Sequence, residues 1–400
     1  MNQNTDFIPF ALPSIEKEEE EAVLRVLRSG WLTTGKETLA FEKEFASYTG
    51  ASHALAVNSA TAGLHLTMEA MGIGPGDVVI VPTYTFTATA EVIRYCGADP
   101  WFVDMGETSW NMDPQKVSDT IASLKKKGRS LKGIMPVHIG GDPEFLKDLH
   151  SLAVQNELFL VEDAAHCFPV ETEQGYVGTY TDAGVYSFYA NKTITTGEGG
   201  MIAVKNPELA RRMEIMRLHG IDRPAWDRYT SQKASWEYDI VAPGFKYNMT
   251  DISAAIGRVQ LSKAKDLMHK RQRLVASYLE ALSDLDFLEL PLWKNEHAWH
   301  LFLIKIKTEK LSIGRNRFIE ELQEAGIGTS VHYKPLHMMS YYKERYNLSN
   351  GNFPLAENAF QRVISLPLFP DMSEEQLQRV CHTIKSIGAV HRIRETAGCG

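Results

Sequence analysis

No apolar run in these 400 residues reaches the ~18 that a membrane-spanning helix requires. The amino terminus, MNQNTDFIPF, carries neither the basic segment nor the apolar stretch of an export signal. The chain is therefore expected to be soluble, unexported and without a membrane partner. Cysteine is scarce: Cys96, Cys167, Cys381 and Cys399 are scattered without a CxxC pair. That spacing fits neither a disulfide framework nor a zinc site, so no metal is expected and a reducing cytoplasm is the simplest compartment. Dense basic runs are also missing. Lys125, Lys126 and Lys127 read as a solvated helix end beside Gly128, and a net charge of −8 argues against a nucleic-acid binder. Any anionic ligand must then be held by locally placed groups. No internal repeat or low-complexity block is visible.

What is present is an alternation of short apolar runs with helix-length segments. Asp77–Pro82 (DVVIVP), Pro100–Asp104, Gly133–His138 and Leu158–Glu162 read as strands of a mostly parallel sheet wrapped by helices. Ser14 can cap a first helix with Glu16, Glu18 and Glu19 in its opening turn. Ile15, Ala22, Val23, Val26 and Leu27 give that helix its apolar stripe, and Gly30 ends it. Met201–Val204 reads as a return strand and Pro207–Leu218 as a helix. The pattern is lost from Ile221 to Val241, where Trp226, Tyr229, Trp236 and Tyr238 mark a binding or subunit-contact loop. A long helical stretch, from Thr250 to about Leu285, leads into a smaller unit. There Trp299–Ile306 is the strand candidate, with helices at Arg315–Glu324 and Glu374–Ser386. The division expected is 1–250 for an arm and large domain, 251–390 for a small domain, and 391–400 for a polar tail.

Two stretches carry chemistry. Tyr186 to Gly200 reads YSFYANKTITTGEGG, a β-like run that breaks into a polar, glycine-rich turn holding one lysine. Lys192 is either a solvated loop lysine or a Schiff-base lysine whose amine is activated by an apolar or cationic neighbourhood. Leu158 to Phe168 reads LFLVEDAAHCF and delivers Asp163 to the carboxyl end of a buried strand, where open α/β sheets place their ligands. Asp163 either caps the next turn or stands opposite a pyridinium nitrogen, keeping it protonated. A third stretch, ALAVNSATAGLHL from Ala54 to Leu66, turns through Asn58, Ser59, Ala60 and Thr61 into a helix. Its start is either a plain Ser/Thr cap or a phosphate cradle. Phe86, after the DVVIVP strand, is either core or a ring that stacks on a ligand.

Asp163-Ala164-Ala165-His166, Ser187-Phe188-Tyr189-Ala190-Asn191-Lys192 and Gly197-Glu198-Gly199-Gly200 together resemble the DegT/DnrJ/EryC1/StrS aminotransferases, which act on nucleotide-linked keto sugars. The likeness runs from about Pro13 to about Ile387. It implies a fold-type-I, aspartate aminotransferase-like α/β architecture: a large, mostly parallel-sheet domain plus a smaller C-terminal α+β domain. It implies pyridoxal 5'-phosphate (PLP) held on Lys192, with Asp163 at the ring nitrogen, Phe86 stacked on the ring and His166 near it. Ser59, Ala60, Thr61 and Ser187 would grip the phosphate. Trp31, Thr33, Thr34 and Gly35 would border the sugar side of the cleft, and His332 and Tyr333 would face the substrate. The segment GFKYNMTD, with Lys246, would reach the neighbouring subunit's active site in a homodimer. L-Glutamate is the implied amino donor. Two positions depart from the family pattern: Ala60 stands where glycine is usual, and Lys246 where asparagine is common. The alternatives are a sugar dehydratase of the same family using pyridoxamine phosphate, whose members carry histidine in place of Lys192, and a non-catalytic PLP-fold sensor or regulator.

Overall fold

The computed structural model describes residues 7–222 and 238–393. Trp226, Tyr229, Trp236 and Cys399 therefore lie outside the described residues, as does most of the polar tail.

The main sheet has seven strands: β1 (His53–Val57), β2 (Asp77–Pro82), β3 (Asp99–Val103), β4 (Ser130–Ile134), β5 (Phe159–Asp163), β8 (Ala183–Ser187) and β9 (Gly200–Val204). A small hairpin, β6 (Glu171–Thr172) with β7 (Gly175–Tyr176), lies between β5 and β8 in the chain. The spatial order is β1-β9-β8-β5-β4-β2-β3, and β9 alone runs antiparallel to its neighbours. The apolar runs form strands because both faces are covered. Along β2, Val78 and Ile80 enter one core while Val79 and Val81 enter the core on the opposite face. The expected strand Gly133–His138 lies earlier, at β4, whose last ladder pairs are Ile134 with Ile80 on one side and with Leu160 on the other.

Helix α1 (Lys17–Ser29) is capped by Glu16, not by Ser14: the Glu16 carboxylate accepts at the N3 backbone while Glu19 accepts from Glu16 N at 2.9 Å. The Ser14 hydroxyl is instead drawn to Asp371. The expected apolar stripe is only partly buried. Ala22 and Val26 pack on Ala255 of the long helix Asp251–Leu282, whereas Ile15 and Leu27 remain 46% and 49% exposed. Gly30 ends α1 in the left-handed region, φ 74°. Helix α2 (Lys36–Thr49) was not read from the sequence; its Phe41 ring lies where a Cβ on Gly257 would come within 2.6 Å, so the long helix is glycine there.

The second core gathers around β10 (Leu288–Glu289), β11 (Phe302–Ile306) and β12 (Val363–Leu366) in an antiparallel sheet. Phe302, Ile304 and Leu366 meet Phe318, Leu322, Leu377 and Val380 of the flanking helices. The amino-terminal segment joins this core through Ile8, whose N donates to Gly326 O at 2.8 Å while its carbonyl accepts from Gly328 N at 2.8 Å. Among the described residues no helix is long and apolar enough to cross a membrane.

Candidate active site

The parallel strands of the main sheet all end toward one edge, and their carboxyl ends deliver the functional groups. Asp163 is the last residue of β5 and Glu162 the one before, so the two acids face opposite sides of the sheet. Glu162 is consumed structurally: it accepts from Gly178 N and Thr181 Oγ1, both at 2.8 Å, and lies 3.0 Å from His138 Nε2. Asp163 Oδ2 accepts from the Thr89 hydroxyl at 2.8 Å and Oδ1 from Ala165 N at 3.2 Å. Burial raises its pKa, opposed by those two bonds and by Lys192 and His138. The Ala165 bond is the capping role the sequence allowed; the carboxylate nonetheless lines a cavity of about 510 Å³.

Lys192 lies in the turn between β8 and β9 and opens into the same cavity. Desolvation lowers its amine to about 7, with the Asp163 carboxylate pulling upward and the Arg271 guanidinium pushing downward. Its side chain borders the cavity together with Asp163 instead of lying on an open loop surface. Helix α3 (Ala60–Ala70) begins at the cavity wall, with Ser59 Oγ accepting from Ala62 N at 3.1 Å. Its first-turn amides, at Ala60 and Thr61, have no acceptor within the helix, which leaves them and the positive end of the dipole for an anion. Gly200 makes this possible. A Cβ there would lie 2.8 Å from both Ala60 N and Tyr186 O, so β9 could not approach the start of α3 with any other residue. Ser187, at the end of β8, completes this side of the wall. Phe86 is 58% exposed and lines the cavity, so it is not core.

His166, His332 and Tyr333 also line the cavity. His166 Nδ1 accepts from Gly140 N at 3.3 Å, so the proton of the neutral ring sits on Nε2 and is given to Tyr333 Oη, 3.0 Å away. Burial keeps His166 well below the usual histidine range and lifts the Tyr333 phenol above its own. Tyr333 thus accepts from the histidine and retains its proton for a ligand. Burial and the Lys192 charge lower His332 to about 4, and its Nδ1 meets Ser365 Oγ at 2.7 Å.

Five candidates lie elsewhere. Trp31, Thr33, Thr34, Gly35 and Lys246 do not line their own chain's cavity. They belong to two neighbouring segments: Thr34 Oγ1 donates to Met249 O at 2.5 Å and accepts from Asn248 Nδ2 at 2.7 Å, and Gly35 N donates to Asp251 at 2.8 Å. Lys246 is exposed, its carbonyl accepting from Asn58 Nδ2 at 3.2 Å. Residues that the sequence did not single out include Thr89, which orients Asp163, and His300 with Arg271, which stand behind Lys192. Thr89 carried a faint signal, one turn beyond Thr85 in a run of hydroxyls after β2. His300 and Arg271 carried none, being an isolated histidine before a strand and one arginine of a long helix.

The groups fit pyridoxal phosphate: an amine of lowered pKa, a desolvated carboxylate, an exposed aromatic ring and a helix start free to take a phosphate all border one cavity. Similarity to known proteins agrees. Bacillus subtilis spore coat polysaccharide biosynthesis protein SpsC is 39% identical over 390 residues, 97% of this chain and 98% of that one. The putative sugar aminotransferase Spr1654 from Streptococcus pneumoniae, in its pyridoxamine phosphate form, superposes with a TM-score of 0.87 at 32% identity, covering 96% of this chain and 99% of that one. Helicobacter pylori PseC, an aminotransferase involved in the biosynthesis of pseudoaminic acid, superposes with a TM-score of 0.87 at 28% identity, over 96% and 100%. Residues 13–385 match the profile of the DegT/DnrJ/EryC1/StrS aminotransferase family. With this fold-type-I α/β architecture and this site, the chain belongs to that family and is a PLP-dependent sugar aminotransferase.

Proposed function

We propose that the enzyme moves an amino group from L-glutamate, through PLP, onto a nucleotide-linked keto sugar to give an amino sugar. The observation that carries this reading is the meeting of the Lys192 amine, the Asp163 carboxylate and the start of α3 in one cavity. When bound, PLP supplies an electron sink for the carbon that loses its proton. Lys192 would hold the cofactor and, once free and uncharged, would carry the proton from the donor's Cα to C4′ of the cofactor. Asp163, fixed by the Thr89 hydroxyl, would keep the ring nitrogen protonated. Phe86 would offer its exposed ring for stacking, His166 would lie near the cofactor ring, and Ser59, Ala60, Thr61 and Ser187, which line the same cavity, would take the phosphate. His332 and Tyr333 face the sugar, Tyr333 with a proton to donate. A dehydratase of the same family is disfavoured by Lys192, which stands where those relatives carry histidine.

The same reading makes the enzyme a cytoplasmic homodimer with shared active sites, divided near residue 250 into a large and a small domain. Supporting the sharing, the segment 31–35 is tied to residues 248–251, which follow Lys246 in the chain, and neither that segment nor Lys246 lines its own chain's cavity. The test of the activity is product mass spectrometry on a panel of nucleotide keto sugars with glutamate. An aminated nucleotide sugar formed one for one with 2-oxoglutarate is expected. Amination of free sugars in preference to every nucleotide-linked one contradicts the substrate class, and formation of a deoxygenated sugar without amine contradicts the reaction.

A further inference from the structure

His300 is 4% exposed, and among the described residues its ring has one hydrogen-bond partner, Lys192, whose Nζ stands 3.4 Å from Nε2. Its face lies against His166, ring centroids 4.4 Å apart. Nδ1 is buried and has no hydrogen-bond partner among the described residues. The His300 carbonyl accepts from Arg271 Nη1 at 3.4 Å, and the same Nη1 donates to Leu368 O at 2.9 Å. Arg271 is 1% exposed, and no carboxylate among the described residues pairs with it.

A neutral imidazole carries one proton. Placed on Nδ1 it would be a buried N–H with no acceptor, which folded proteins tolerate less readily than an unused lone pair. Placed on Nε2 it points at Lys192, and an N–H can bond only to an amine that still has its lone pair, since an ammonium has no acceptor. We propose that His300 is a positioning residue whose Nε2–H donates a hydrogen bond to the lone pair of the Lys192 amine, and with Arg271 behind it keeps that amine uncharged and aimed into the cavity whenever it is free of cofactor. This rests on Lys192 being the cofactor lysine.

The groups around Lys192 divide by sign. Asp163, from the end of β5, favours the ammonium; Arg271, from the long helix, disfavours it. His166, His300 and His332 are all lowered chiefly by burial, which favours their neutral forms. Removing the His300 N–H leaves Asp163 opposed by burial and by Arg271 but takes away the one hydrogen bond that only the uncharged amine can accept, so the amine is expected to hold its proton to higher pH.

The test uses cofactor-free protein labelled with acetic anhydride across about pH 5 to 10. Peptide mass spectrometry compares Lys192 with Lys17, whose side chain is 82% exposed. Wild-type Lys192 should reach half-labelling near 7. His300→Phe should move that midpoint up by about one unit or more, and His300→Asn, whose amide ends short of Nζ, should do the same. His300→Gln, whose amide reaches the Nε2 position, should track wild type. The proposal is overturned if wild-type Lys192 titrates with Lys17, if the folded Phe or Asn protein superimposes on wild type, or if Gln shifts as far as they do. Borohydride reduction of the PLP-loaded wild type separately identifies the cofactor lysine, so failure of that assignment is distinguishable from failure of the His300 role.

Discussion

At the residue scale, the site works by setting charge states through burial. Asp163→Asn keeps the shape and loses the charge, so the protein should still bind PLP while kcat falls by roughly two orders of magnitude or more; near-normal turnover would refute the role of the carboxylate. Phe86 is mostly exposed without ligand, so Phe86→Ala should leave the melting temperature of the cofactor-free protein unchanged. Loss of about 1 kcal/mol of stacking should weaken cofactor retention roughly fivefold, measured by PLP titration. Lys192 also links stability to pH. Between about 7 and the ordinary lysine range the unfolded chain binds a proton that the folded chain does not, so stability of the cofactor-free protein rises with pH across that window. Below it both states are protonated, so the slope vanishes and the cost of the buried charge is carried in full. Lys192→Met should remove that part of the slope in urea denaturation curves taken against pH; an unchanged slope would show that the amine is not desolvated.

At the scale of elements, the close approach of β9 to the start of α3 is the joint on which the phosphate end depends. Gly200→Ala places a methyl group against Ala60 N and Tyr186 O and should cost about 1–3 kcal/mol. It should weaken PLP binding as well, because the helix start must shift; thermal melting and cofactor titration check the two effects. Such joints explain what the sequence could convey. Lys192, Asp163 and the Ser59–Thr61 turn were legible because each follows an apolar strand, and strand ends in a parallel sheet converge. Thr89, His300 and Arg271 were not, because their partners lie 74, 108 and 29 residues away, and only folding brings them together. The cap of α1 was misplaced for a related reason: Ser14 had the right chemistry, but Asp371 competed for it.

At the scale of the whole molecule, the proposed sharing of sites has an arithmetic test. Lys192→Ala and Lys246→Ala subunits, each inactive or crippled alone, are mixed under conditions that let dimers exchange. Half of random pairs are hybrids, each with one site holding both lysines and one holding neither, so about a quarter of wild-type activity should return. Activity staying at the level of the separate variants, with exchange confirmed independently, would reject the shared arrangement. One covalent attachment, that of PLP to Lys192, underlies every role assigned to the site. Borohydride reduction of the PLP-loaded protein, followed by peptide mass spectrometry, should fix the cofactor on the peptide containing Lys192, and attachment to any other lysine would contradict it.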